Sequence, residues 1–163
     1  MADVVREFGY LTLGTRLKRL GERLQADTQR FLEVFDDRVP ASQYPFLAAL
    51  AREGPLGVGE LAQAVGITQP GATRSLAQLE ALGLVEAGPA PDDQRRRLVT
   101  LTGEGHRLVD TTRQQAWPLI EAAVADLCSD LTGPLLDQLS AIEDRLAVAR
   151  LDQRAALPKG NKP

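Results

Sequence analysis

The stretch Val58-Gly59-Glu60-Leu61-Ala62-Gln63-Ala64-Val65-Gly66-Ile67-Thr68-Gln69-Pro70-Gly71-Ala72-Thr73-Arg74, with its continuation to Leu82-Gly83, decides how this chain is read. Leu61, Ala62 and Val65 recur at helical spacing, and Gly66 closes that segment. Thr68 is a good N-cap for a second helix, and Pro70 falls in its first turn, where a missing N–H costs little. Gly83 ends the helix after Leu82 in the manner of a C′ glycine. Two helices joined by so short a turn cross steeply, and the second stands out as a ridge of a shape that fits the major groove of DNA.

A helical wheel from Thr68 to Leu82 sorts the second helix into two faces. Ala72, Leu76 and Leu79 share the side that must be buried. Opposite them lie Pro70, Arg74, Ala77, Gln78 and Ala81, flanked by Gln69, Gly71 and Thr73. The fork of donors on Arg74 suits a guanine edge or a phosphate, and Gln69 and Gln78 can both donate and accept. The small residues Gly71, Ala77 and Ala81 let the backbone approach a groove. Taken alone, this face is equally an ordinary solvated helix surface.

The next segment favours the DNA reading. Leu84–Ala87 and Arg95–Leu101 read as strands around a turn-rich loop, Gly88-Pro89-Ala90-Pro91-Asp92-Asp93, which leaves Arg95-Arg96-Arg97 at the hairpin tip. Alternation puts Arg95 and Arg97 on one face and Arg96 on the other. A cationic ribbon tip can enter a narrow minor groove, where negative potential is enhanced. The candidate DNA-binding set is therefore Thr68, Gln69, Pro70, Gly71, Thr73, Arg74, Gln78, Arg95, Arg96 and Arg97.

The rest of the chain reads as helices around this head. Tyr10, Leu13, Leu17, Leu20, Leu24, Thr28, Phe31 and Phe35 form one long stripe, ended by Asp36-Asp37 and Pro40. Ser42 to Arg52 carries Phe46, Leu47 and Leu50 inward. Thr102 can cap a helix to about Leu127, with Pro118 kinking or breaking it, and Thr132 a last helix through Leu135, Leu139, Ile142, Leu146 and Ala149. One domain is expected over 6–152, with a head at 54–102 and flanking helices at about 6–35 and 103–152. The tail from 153 to 163 is expected to be disordered.

Composition narrows the function. The chain has 163 residues, 44% hydrophobic and 4% aromatic, which suits one mainly helical core of Leu, Val and Ala. The formal net charge of −3 counts against nucleic acid only if the charge is spread evenly, and it is not. Residues 6–30 carry six cations against three acids, whereas residues 120–152 carry seven acids against two arginines. One cysteine, Cys128, excludes an internal disulfide framework, and its acidic surroundings disfavour a reactive thiolate. A single histidine, His106, without partner ligands anchors no metal. No nucleophile–base pair, phosphate loop or cofactor motif is present, so neither an enzyme nor a cofactor is expected. No run is long enough to span a membrane, and the opening Met1-Ala2-Asp3-Val4-Val5-Arg6 lacks the features of an export signal; a cytoplasmic location is expected.

Gly59-Glu60-Leu61-Ala62, Gly66-Ile67-Thr68, Arg74, Leu79-Glu80 and Gly83-Leu84-Val85, followed by Asp93-Gln94-Arg95, Leu98-Val99-Thr100-Leu101-Thr102 and Gly105, resemble the MarR (multiple antibiotic resistance regulator) family. The resemblance extends over most of the chain. It implies a winged helix-turn-helix fold, a homodimer, a helix in the major groove and a β-hairpin wing in the minor groove of double-stranded DNA. It also implies that Asp93 and Arg95 shape the wing, leaving Arg96 and Arg97 freer to touch DNA. This sequence departs from the family pattern at Gly57 and Gly59, where hydroxyl residues are frequent and would strengthen the first cap, and at Gly71, where Thr or Ser is frequent.

Two further expectations follow. Long apolar stripes on the flanking helices call for a partner, and a two-fold dimer would read a palindrome with half-sites about one helical turn apart. In the family, small aromatic or phenolic effectors bind between such helices and the heads; Tyr10, Phe46 and Trp117 are the aromatic candidates for a wall here. The expected function is a ligand-responsive repressor acting on a palindromic operator. An adaptor that dimerises without binding DNA is the alternative.

Overall fold

The computed structural model describes residues 2–90 and 97–154. The chain divides into two compact units, residues 1–122 and 123–163. In the first, α1 (Val4–Glu7) and a 3₁₀ turn at Gly9–Thr12 lead into α2 (Leu13–Leu32). A second 3₁₀ turn, Ala41–Gln43, opens α3 (Tyr44–Glu53), and α4 (Val58–Val65) and α5 (Gln69–Ala81) follow. Strands β1 (Val85–Pro89) and β2 (Arg97–Leu101) pair antiparallel, Val85 opposite Leu101 and Pro89 opposite Arg97. α6 (Gly103–Gln115) comes next, and α7 (Trp117–Leu127) ends beyond the first unit. The second unit holds α8 (Leu135–Val148) and α9 (Leu151–Arg154).

The expected fold is present: a mainly helical chain with a small hairpin wing behind a helix-turn-helix. Its core collects Phe46 and Leu47 of α3, Leu61 of α4, Leu79 of α5, Leu84, and Val109 of α6, none more than 1% exposed. Each such side chain contributes about 1.5–3 kcal/mol when fully buried. The wing is tied to this core by a third strand-like segment. Leu56 N–H donates to the Val99 carbonyl at 3.1 Å and Val99 N–H to the Leu56 carbonyl at 2.8 Å.

Local signals account for the element ends. Gly66, at φ 73°, terminates α4, and the Ile67 N–H reaches back to the Ala62 carbonyl at 3.0 Å. Gly83, at φ 71°, ends α5. The missing hydroxyl at Gly57 is offset by Glu60, whose carboxylate accepts from the Gly57 N–H at 2.7 Å, one half of a capping box. Thr102 caps α6 by accepting from the Gly105 N–H at 3.1 Å.

Four expectations need correction. Gly88-Pro89 is strand rather than loop, because β1 lies at a sheet edge where proline's absent N–H leaves no ladder bond broken. α2 stops at Leu32, and Tyr10 sits in the preceding 3₁₀ turn rather than in one continuous helix. The break expected near Pro118 falls at Ala116, and Pro118 becomes the second residue of α7, where it needs no N–H partner. Thr132 is not the cap of α8: Gly133, at φ 92°, and Pro134 turn the chain into Leu135 without a hydroxyl. The tail expected to be disordered lies outside the described residues from 155 onward, while residues 153 and 154 belong to α9.

Among the described residues, α2 leaves Leu17, Leu20, Leu24 and Phe31 exposed, and the second unit leaves Leu127, Leu136, Leu146 and Val148 exposed. No described helix is long and apolar enough to cross a membrane.

Two glycines of this fold should respond in opposite ways to alanine. A Cβ at Gly105 would lie 2.1 Å from the Leu84 carbonyl oxygen, so Gly105→Ala should lower stability by about 3 kcal/mol or more. Gly59 sits inside α4 with open space around its Cα, so Gly59→Ala should add about 0.5–1 kcal/mol. Urea unfolding midpoints read both; equal shifts of one sign would refute the packing described.

Candidate nucleic-acid interface

α5 is held from one side only. Ala72, Leu76 and Leu79 are buried, while Thr68, Gln69, Pro70, Thr73, Arg74, Ala77, Gln78 and Ala81 are exposed. The wheel drawn from the sequence therefore matches the burial of this helix. Pro70, Arg74 and Gln78 follow one another at four-residue steps along its outer face.

The individual groups differ in freedom. Thr68 accepts from the Gly71 N–H at 3.4 Å and so acts as the cap. Gly71 is half-buried behind it; a Cβ there would stand 3.3 Å from the Thr68 hydroxyl oxygen. The Thr73 hydroxyl donates to the Gln69 carbonyl at 3.0 Å. Arg74 forms no hydrogen bond or ion pair with any described residue, so its fork of donors is unspent. Gln78 is partly engaged: its Oε1 accepts from Nε2 of Gln43, a buried residue at the start of α3. Of the wing arginines, Arg97 is exposed but folds back, with Nη2 donating to the Ala87 carbonyl at 3.0 Å. Arg95 and Arg96 lie outside the described residues.

An ion-pair chain buttresses the near end of α3. Arg38 Nη2 meets Asp36 at 2.6 Å and Glu104 of α6 at 3.2 Å. The hydrogen bond from Arg38 holds the Asp36 carboxyl below its ordinary range.

The MarR family model matches residues 39–96, which include the second 3₁₀ turn, α3, α4, α5 and β1. The transcriptional regulator FarR of Neisseria gonorrhoeae is 33% identical over 107 residues, 64% of this chain and 73% of that protein. The chain belongs to the MarR family. A helix-turn-helix regulator of Mycobacterium tuberculosis is 37% identical over 48% of the chain, which spans only 57% of that relative's length. Among solved structures, the MarR family regulator Sco3205 of Streptomyces coelicolor, crystallised with DNA, superposes with a TM-score of 0.65 at 26% identity, covering 90% of each chain.

Behind the reading head of this MarR-family chain lies an open cavity of about 440 Å³. Thr28 and Leu32 of α2, Tyr44 and Pro45 of α3, and Trp117 and Ile120 of α7 line it. Of the aromatic wall candidates, Trp117 is in place and carries Arg113 over its ring, 5.6 Å from the centroid. Tyr10 is 93% exposed and Phe46 is sealed in the core, so neither lines this cavity. Sequence periodicity missed Tyr44, because Tyr44 belongs to the first turn of a helix whose other apolar residues face the core.

The Tyr44 hydroxyl is buried without a hydrogen-bond partner. Burial, reinforced by the Asp36 charge, pushes its pKa up to about 12. An unfolded tyrosine ionises near pH 10, so between about 10 and 12 the unfolded state binds fewer protons than the native one and stability must fall. This contribution is complete below pH 10 and lost as pH rises through about 12. Tyr44→Phe should remove that alkaline decline and raise stability at pH 7 by about 1 kcal/mol, since an unpaired buried hydroxyl disappears. Thermal melts of both proteins across pH 7–12 test this; parallel curves would count against it.

Proposed function

We propose that this MarR-family protein is a DNA-binding transcription regulator that acts as a homodimer, represses from a palindromic operator and is released by a small-molecule effector. The observation that carries the DNA reading is the one-sided burial of α5: an apolar inner face, and an outer face on which Arg74 has no partner among the described residues. Each subunit would lay Gln69–Gln78 in the major groove, with the wing arginines Arg96 and Arg97 beside it in the minor groove. Bound at a promoter, such a dimer blocks polymerase access. A protein acting in this way works in the cytoplasm.

Dimerisation is supported by the exposed apolar side chains of α2 and by those of the second unit, which a partner subunit would cover. A single head contacts few base pairs; a two-fold pair doubles the contacts and reads an inverted repeat. The effector role is supported by the cavity between α2, α3 and α7, whose aromatic walls Tyr44 and Trp117 suit a small aromatic ligand. A ligand binding better to a dimer with differently spaced heads would release DNA by population shift.

Electrophoretic shift on the DNA upstream of the protein's own gene tests the reading. Arg74→Ala should weaken binding about 10- to 100-fold, and Arg97→Ala should weaken it alike on all sequences and reduce the salt slope by about one. Absence of any shift together with a stable dimer in sedimentation would favour the adaptor instead. Trp117 is the sole tryptophan, so its fluorescence reports ligand entry to the cavity directly.

A further inference from the structure

We propose that Gln43 is a positioning residue that presets the Gln78 amide as a hydrogen-bond donor, so that Gln78 selects guanine in the operator; the inference rests on the reading of α5 as the groove helix. Gln43 is 3% exposed, and its Nε2 donates to Oε1 of Gln78 while its own Oε1 is buried with no partner. In this sense one N–H of Gln43 is spent on Gln78 and its oxygen is left over; with nitrogen and oxygen exchanged in both amides, the Gln43 oxygen would be spent and its two N–H groups left over. Gln43 is also the anchored member. Its backbone N–H donates to the Pro40 carbonyl at 2.9 Å, and the neighbouring Ala41 N–H donates to Oε1 of Gln29 on α2 at 2.6 Å. Gln78 is exposed on α5, so its amide takes its orientation from Gln43.

The consequence is a change of reading chemistry. An unconstrained glutamine pairs with adenine by accepting from N6 and donating to N7. Here the oxygen is turned inward, and the two N–H groups of Nε2 are left for the groove. Guanine offers two adjacent acceptors, N7 and O6, where thymine offers O4 alone beside its methyl group; the amino groups of adenine and cytosine meet the amide donor with another donor. Arg74, one turn earlier on the same face, is likewise donor-only. At Arg74 and Gln78 the outer face of α5 thus reads acceptor edges.

Selection of bound sequences from a random DNA pool tests this with four proteins. Gln78→Ala locates the base pair by erasing its preference. The unaltered protein should prefer guanine over adenine there by about tenfold, within the range of one base-edge contact. Gln43→Met keeps the length of the side chain, frees the Gln78 oxygen and should bring that ratio close to one. Gln78→Glu still accepts from Gln43 but offers the groove an acceptor, so cytosine should replace guanine. Adenine selected by the unaltered protein, guanine retained by Gln43→Met, or an unchanged sequence preference in Gln78→Ala would each overturn the inference while leaving the DNA reading intact. If Gln43→Met does not fold, Gln78→Glu decides alone, and guanine retained there overturns it. Failure of the unaltered protein to select any sequence would remove the DNA reading itself, and this inference with it.

Discussion

Thr102 holds the reading head together. Its hydroxyl donates to the Gly83 carbonyl at 2.6 Å and accepts from the Gly105 N–H at 3.1 Å, while its backbone N–H donates to the Leu84 carbonyl at 3.0 Å. One residue thereby joins the end of α5, the approach to β1 and the start of α6. Gly105 completes the joint, because only a residue without a side chain lets α6 pack onto the Leu84 carbonyl. The tilt of α5, the root of the wing and the direction of α6 are set at the same point. A helix that must meet a groove at a defined angle needs such a fixed base.

From that base, the two faces of α5 serve different ends. The inner residues Ala72, Leu76 and Leu79 give it the burial that keeps it in place, and the outer face carries Arg74 without a partner among the described residues. Gln78 leads back through Gln43 to the turn that opens α3. The next residues in that turn, Tyr44 and Pro45, line the cavity behind the head. The residue that holds Gln78 and the residues that line the cavity therefore sit side by side in one short segment, with Asp36, Arg38 and Glu104 bracing it from the side.

Much of this was legible because its causes are local. Gly66 and Gly83 end helices by adopting positive φ, Thr68 and Thr102 cap through their own hydroxyls, and the burial of α5 follows its periodicity. The misread elements are those in which a local signal met a neighbour. Gly88-Pro89 has turn composition yet extends as strand because β2 lies opposite to pair with it. Thr132 has cap chemistry, but Gly133-Pro134 makes the turn first. Tyr10 continues the apolar stripe in sequence and stands in solvent in the fold.

The sequence by itself determined the helix-turn-helix, the wing strands, the buried and open faces of α5 and membership of a recognisable family, since each depends on spacing within about a dozen residues and on the backbone preferences of Gly, Pro and Thr. The tertiary structure alone decided the Gln43–Gln78 pairing, the cavity walled by Tyr44 and Trp117, the retreat of Arg97 onto the Ala87 carbonyl and the contact of Gly105 with Leu84. The physical reason is distance along the chain. Side-chain amides, ring faces and close backbone approaches depend on which residues folding brings together, and Gln43 and Gln78 are thirty-five positions apart.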